Sequence, residues 1–232
     1  MLKVLLIAGH GDGDPGSCGN GYKEAELTRE FVSLLNSDLS SIAEVTVFDF
    51  NKNCYTYLKS GGNVNFALYD YVLEVHFDSN EKKSAKGTTI FVHEAERGTT
   101  VEERILNNIC PLGFKNRGVI KRSDLRVMNT CKKIYNTSHA LLEVCFISNS
   151  SDMDNYQDKK PKIVSAVVRG IKEGFGLAEP LLYTSAEDIT DVLARSYIHI
   201  TERERFVSAL QEAKDENSSL YWGYYKLVNN IK

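Results

Sequence analysis

Four residues of this chain pair metal-binding or proton-transfer chemistry with a position that a ligand can reach: His10, Glu24, His76 and Glu143. His10 follows the apolar run Lys3–Ala8 in a glycine-rich loop, Ile7-Ala-Gly-His10-Gly-Asp-Gly-Asp-Pro-Gly16. In open α/β sheets the carboxyl ends of strands are where ligands bind. Glu24 falls in the first turn of a helical pattern, on the face shared with Leu27 and Phe31. A carboxylate on an inward face is costly unless it is paired or bound to a cation. His76 closes a strand pattern on the face of Val72 and Glu74. Two imidazoles and one carboxylate form a catalytic zinc set with a fourth position kept for water. Such a site needs one more carboxylate as general base. The candidate is Glu143, an acid inside the apolar strand Leu141-Leu-Glu-Val-Cys-Phe-Ile147. Each histidine taken singly reads as an ordinary core or surface residue. The joint placement, at strand ends and in a first helical turn, is what points to a metal.

Other chemistries fit poorly. Gly11, Gly13 and Gly16 spell the spacing of a dinucleotide loop, but Asp12 and Asp14 would repel a pyrophosphate and Pro15 removes an N–H that the anion needs. No helix opens before about Glu24, so no helix N-terminus follows the loop directly. There is no GK[ST] phosphate loop and no G-x-S-x-G nucleophile elbow. The five cysteines, Cys18, Cys54, Cys110, Cys131 and Cys145, contain no CxxC pair. That excludes a disulfide scaffold and a cysteine zinc finger, and suits a reducing compartment. Cys145 has the strand parity of Glu143 and reads as a small buried residue.

The elements that must position these residues alternate between strand and helix over the first 176 residues. Strand patterns occupy Lys3–Ala8, Glu44–Phe50, Tyr69–Phe77, Thr88–His93 and Ala140–Ile147. Helical spacing runs over Glu24–Leu35 and Val101–Ile109, and Pro161 opens a helix through Ile163, Val164, Val167, Val168 and Ile171 that Gly174 ends. This alternation predicts a three-layer α/β domain. Residues 177–182, around Gly176-Leu-Ala-Glu-Pro180, read as a linker. Residues 183–232 read as a small helical domain, with capping boxes at Thr184-Ser-Ala-Glu187 and Thr201-Glu-Arg-Glu204 and a third helix through Leu220, Tyr224, Leu227 and Val228. Its aromatics, among them Tyr183, Tyr197, Phe206, Tyr221, Trp222, Tyr224 and Tyr225, fit either a small core or a stacking or dimer surface.

Composition sets outer limits. The 232 residues are 42% hydrophobic and 25% charged, with a formal net charge of −3. That is globular composition without a general attraction to nucleic acid or anionic lipid. No apolar run approaches the ~20 residues of a membrane helix, so membrane insertion is not expected. The opening run, Met1 to Ala8, is too short for a signal peptide, so synthesis in the cytoplasm is expected.

The residues singled out also resemble a family. Ile7-Ala-Gly-His10-Gly with Asp14-Pro-Gly16, Glu24-Ala-Glu-Leu-Thr28, Leu73-Glu-Val-His76-Phe-Asp and Leu142-Glu-Val-Cys-Phe-Ile-Ser-Asn149 are similar, block by block and in order, to the zinc-dependent N-acetylmuramoyl-L-alanine amidases of the Amidase_3 type. Gly113-Phe-Lys-Asn-Arg-Gly118 and the Ser-Asn pair after Glu143 resemble clostridial bacteriophage endolysins in particular. The resemblance covers about residues 1–175. It implies a twisted, mostly parallel six-stranded sheet with helices on both faces. It implies Zn2+ on His10, Glu24 and His76, and Glu143 as acid/base. It implies peptidoglycan as the substrate, cleaved between N-acetylmuramic acid and L-alanine once the enzyme is released from the bacterial cytoplasm to the wall. Residues 183–232 then become a candidate wall-binding or homodimerising module.

Two departures from the family pattern stand out. Many members carry Ser-Ile-His-Ala-Asn at the third ligand, where this chain has Glu74-Val-His76-Phe-Asp. Glu74 shares the face of His76, which leaves open a role behind the ligand or a plain surface or paired role. Thr137-Ser-His139 replaces a Pro-x-Ala lead-in to Glu143. His139 has the parity of Glu143, yet reads as structural, as do His93 and His199. Two rivals remain at this level: another zinc peptidase or deacetylase acting on wall peptides, and a non-catalytic wall-binding protein.

Overall fold

A computed structural model of the chain describes residues 1–177, 186, 189, 190, 193, 203–216 and 218–228. Two compact units divide it, Met1–Leu177 and Ala178–Lys232.

The first unit is built on β1 (Lys3–Ala8), a strand whose five residues after Lys3 are all buried. A strand buried on both faces needs a sheet covered on both sides. Its neighbours are β4 (Glu44–Val47) and β5 (Tyr71–Asp78), and β5 is followed outward by β8 (Ser138–Phe146), β6 (Thr88–His93) and β7 (Asn116–Arg122). The order is β4-β1-β5-β8-β6-β7. Only the β6–β8 pair is antiparallel. A separate two-residue ribbon, β2 (Cys18–Gly19) with β3 (Tyr22–Lys23), turns on Asn20-Gly21, both at positive φ. That is the backbone a tight hairpin requires, and it delivers the chain to Glu24.

Side chains alternate across the sheet. Val4, Leu6, Leu73, Val75, Ala140 and Leu142 pack on one face against α1 (Glu24–Leu39), α3 (Thr100–Ile109) and α5 (Ser150–Gly174). Leu5, Ile7 and Val72 face the other side, under α2 (Cys54–Lys59), the short 3₁₀ turn at Phe66 and α4 (Arg126–Asn129). Glu74 and His76 follow Val72 onto this thinner face, as His139, Leu141 and Glu143 do on β8.

Several boundaries move from the sequence expectation. The sixth strand is β7, for which the sequence reading gives no element. It is an edge strand of sequence NRGVIKR, so only one side needs apolar cover and its charges discourage further pairing. Pro161 does not open a helix: it sits inside α5, which starts at Ser150 with Asn149 accepting from the Asp152 N–H. Met153 and Tyr156 extend the buried stripe upstream, and packing on both sides outweighs the lost N–H of an exposed proline. Beside it Lys160 Nζ lies 5.2 Å from the Tyr156 ring centroid and 2.6 Å from Glu30 Oε1. Cys145 does not share the face of Glu143. The β5–β8 register shifts between His76↔Glu143 and Asp78↔Phe146, a bulge that turns Cys145 into the large core.

In the second unit α6 (Arg203–Asp215) and α7 (Ser219–Val228) are described. Tyr221 is buried with Ala186, Ile189, Leu193, Leu210 and Ala213, and Phe206, Tyr224 and Tyr225 pack around them. Among the described residues Phe206, Tyr221, Tyr224 and Tyr225 therefore make a small core, while Trp222 stays 43% exposed. The linker after Leu177, Thr184, Glu187, Tyr183, Tyr197, His199 and Thr201 lie outside the described residues.

Candidate metal centre and active site

The loop after β1 carries His10 at a positive φ of 61°. A non-glycine residue held there needs external support. The first turns of α1 supply it. Thr28 Oγ1 and Arg29 Nη1 both donate to the Gly9 carbonyl, and Arg29 Nη2 donates to the His10 carbonyl at 2.9 Å. Gly9 and Gly16 are dictated by contact: a Cβ on Gly9 would lie 2.3 Å from the His76 ring, and one on Gly16 would lie 2.8 Å from Glu24 Oε2.

Glu24 occupies the first position of α1, where its charge meets the positive end of the helix dipole. Its Oε2 accepts from the Ser17 N–H and its Oε1 from the Phe77 N–H. The same Oε1 lies 3.1 Å from His10 Nε2 and 2.9 Å from His76 Nδ1. The two imidazoles stand edge to face with centroids 4.9 Å apart. One donor atom from each of His10, Glu24 and His76 falls within 4.8 Å of the others. The far side of each ring is held as well: His10 Nδ1 is 2.8 Å from Asp14 Oδ2, and His76 Nε2 is 3.2 Å from Glu74 Oε1. A carboxylate behind a histidine is the arrangement that aims metal-binding imidazoles. The donor set, its spacing and this backing fit a divalent cation of the zinc type.

Hydrogen bonds set the charges within the cluster. Burial works against the Glu24 charge, but hydrogen bonds from His10 and His76 outweigh it and hold the carboxyl well below the usual range. Burial likewise lowers His76, yet Glu24 and Glu74 raise it well above an ordinary histidine. A metal would displace these protons, since histidine ligates in its neutral form.

Glu143 is the β-ladder partner of His76 on the same face. Its Oε2 is enclosed and has no hydrogen-bond partner among the described residues. Burial pushes its carboxyl up to about 8, with His76 opposing this and Asp78 and Glu24 adding to it. A partnerless carboxyl poised near neutrality beside a donor cluster suits proton transfer.

The cluster opens into a cavity of about 300 Å3 whose lining includes His10, His76, Glu74, Leu141, Tyr55 and Arg126. The Arg126 guanidinium lies 5.8 Å from the Tyr55 ring centroid. The four residues singled out in the sequence thus meet at one end of the sheet, His76 and Glu143 from one face of β5 and β8, His10 from the loop after β1 and Glu24 from the first turn of α1. Four further residues of the site were not assigned from the sequence. In the sequence Asp14 counts against phosphate and belongs to a motif block without a role of its own, and Arg29, Tyr55 and Arg126 carry no signal, because their roles depend on loop and helix geometry. His139 was read as structural. It lies on the site face, with Nε2 3.0 Å from Glu74 Oε2. His93 is a structural residue, bound to Asn129 Oδ1 and the Ala95 N–H.

The chain is similar to known proteins in sequence and in fold. The family profile described as N-acetylmuramoyl-L-alanine amidase (Amidase_3) matches residues 4–173. The probable autolysin PH of Staphylococcus aureus is 30% identical over 209 residues, which is 80% of this chain and 42% of the relative. The amidase LytC of Bacillus subtilis is 26% identical over 69% of this chain and 34% of its own length. The endolysin of Bacillus phage SPP1 is 29% identical over 74% of this chain and 64% of its own. This chain therefore spans less than half of the first two relatives. Among solved structures, the catalytic domain of the CD27L endolysin superposes with a TM-score of 0.63 at 19% identity, covering 75% of this chain and 98% of that one. The catalytic domain of CwlV from Bacillus (Paenibacillus) polymyxa gives 0.62 at 17% identity, over 77% and 100%. These two likenesses establish the fold.

Proposed function

The chain belongs to the N-acetylmuramoyl-L-alanine amidase family, and from that premise we propose that it hydrolyses the amide between the lactyl group of N-acetylmuramic acid and L-alanine in bacterial peptidoglycan. His10, Glu24 and His76 would hold Zn2+, and Glu143 is the acid/base. The observation that carries this reading is the convergence of three donor atoms within 4.8 Å beside a carboxyl that has no other partner.

Zinc bound there would supply Lewis acidity, polarising the scissile carbonyl and acidifying water. Glu143 takes a proton from the attacking water as the oxygen adds to the carbonyl carbon. It returns that proton to nitrogen as the C–N bond breaks, so the products are the free lactyl acid and an L-alanyl amine. Asp14 and Glu74 hold the outer nitrogens of His10 and His76, which keeps both rings aimed inward. Arg29 fixes the loop that carries His10. Tyr55 and Arg126 line the cavity and would contact the peptide or glycan.

For residues 183–232 we propose wall anchoring. Trp222, 43% exposed beside the small core, is the ring offered to sugar. No helix among the described residues is long and apolar enough to cross a membrane. The deciding experiment is clearing of purified cell walls by the full chain, with and without a chelator, followed by end-group analysis. A new alanine N-terminus that appears only with metal supports the amidase. A different new end group points to another zinc peptidase or deacetylase, and no cleavage points to a binding protein.

A further inference from the structure

Glu74 is a charge in the wrong surroundings for a purely structural carboxylate. It is 6% exposed and lies on the thinner face of the sheet, where Val72, Cys54, Cys131 and Val127 form an apolar cluster. Both thiols are near enough for its charge to raise them further after burial has done so. A buried carboxylate needs hydrogen bonds to each oxygen. Glu74 gets two, both from imidazoles: Oε1 is 3.2 Å from His76 Nε2 and Oε2 is 3.0 Å from His139 Nε2. His139 is itself 2% exposed, and its Nδ1 has no partner among the described residues. Its one polar attachment described here is therefore Glu74.

The strands make this chain of contacts rigid. Glu74 precedes His76 by two residues on β5 and so shares its face. His139 is the β8 ladder partner of Val72, and Leu141 is that of Glu74. His139, Glu74 and His76 thus run along one face of two paired strands, from the closed core toward the cavity. With His76 Nε2–H donating to Glu74, Nδ1 faces the donor cluster, 2.9 Å from Glu24 Oε1, and would offer its lone pair there once a cation replaced the proton of that contact.

We propose that Glu74 and His139 are positioning residues: His139 anchors Glu74, and Glu74 orients the His76 ring and strengthens Nδ1 as a metal donor, so the pair sets the affinity of the site for its cation. The inference rests on the metal reading above and goes beyond it by assigning His139 and by making the His139–Glu74 pair, which lies behind the His76 donor, a determinant of metal affinity. Losing such a carboxylate costs about 10- to 100-fold in metal affinity.

The test is a competition titration of Zn2+ against a chromophoric chelator. It uses the full chain stripped of metal and its variants Glu74→Ala, Glu74→Gln, His139→Ala and the double Glu74→Ala/His139→Ala. Folding is checked by circular dichroism. Glu74→Ala is expected to weaken zinc binding about 10- to 100-fold. Glu74→Gln keeps an acceptor for His76 and should lose less. His139→Ala should weaken binding less than Glu74→Ala, and the double variant should be no weaker than Glu74→Ala, because His139 acts only through Glu74. If Glu74→Ala fails to fold, Glu74→Gln and His139→Ala decide the matter by the same ordering. Folded variants that bind zinc as tightly as the parent would overturn the proposal, as would losses that add in full in the double variant. A parent chain that binds no zinc would overturn the metal reading itself and this inference with it.

Discussion

At the scale of single residues the site separates holding a metal from moving a proton. His76 supplies a donor atom, so His76→Ala should lose bound zinc and activity while the chain stays folded, as metal analysis and circular dichroism would record. Glu143→Gln keeps shape and hydrogen bonding but cannot take a proton. It should retain zinc while the hydrolysis rate falls by about 10² or more. Zinc loss in that variant would mean that Glu143 is a ligand. The Glu143 carboxyl also makes a stability prediction for the metal-free protein. Its value in the fold, about 8, lies above its ordinary value of 4.5, so the folded chain keeps a proton that the unfolded chain releases. The stability this contributes is complete below about pH 4.5 and is lost as pH rises through 8. The urea midpoint of the metal-free parent should therefore fall relative to that of Glu143→Gln between pH 5 and 8.5. Parallel midpoints would refute the burial argument.

At the scale of elements, α1 does more than cover the sheet. Its first residue enters the donor cluster, and its second turn clamps the loop before it. Arg29 donates to the carbonyls of Phe50, Gly9, Ala25 and His10. Hydrogen bonds from a charged group contribute about 1.5–3 kcal/mol, and deleting the donor leaves carbonyls without it. Arg29→Ala should lower the melting temperature, and it should weaken zinc binding because His10 keeps its positive φ only while the loop is held. Unchanged zinc affinity in a destabilised variant would show that the loop keeps its shape without the clamp. The pairing of β5 with β8 matters in the same way, since its register sets His76 opposite Glu143 and its bulge keeps Cys145 out of the site.

At the scale of the molecule there are two units, and every residue assigned to chemistry lies in the first. A chain ending at Leu177 should hydrolyse small soluble muropeptides at a near-normal rate. It should act more slowly on intact walls, because tethering raises the effective concentration of enzyme at its substrate. The isolated second unit should bind walls in a pull-down, and Trp222→Ala should weaken that binding. Equal losses on both substrates without a pull-down would leave residues 183–232 a structural or dimerising role.

The four residues of the metal and acid/base reading, the strand–helix alternation and five of the six strands were legible in the sequence by itself. Chemistry restricts which side chains can serve, and burial on one face leaves a periodic trace. What only the tertiary structure decided has physical causes too. The edge strand β7 is half solvated, so it carries no apolar signature. Pro161 sits within α5 because long-range packing outweighs a local breaker. Glu74, His139, Asp14 and Arg29 acquire their roles from register and loop geometry, which bring residues 65 apart in the chain to 3.0 Å. Residue type says what a group can do. Whether Glu74 meets two imidazoles or water depends on how β5 and β8 pair, and that pairing is a property of the whole sheet.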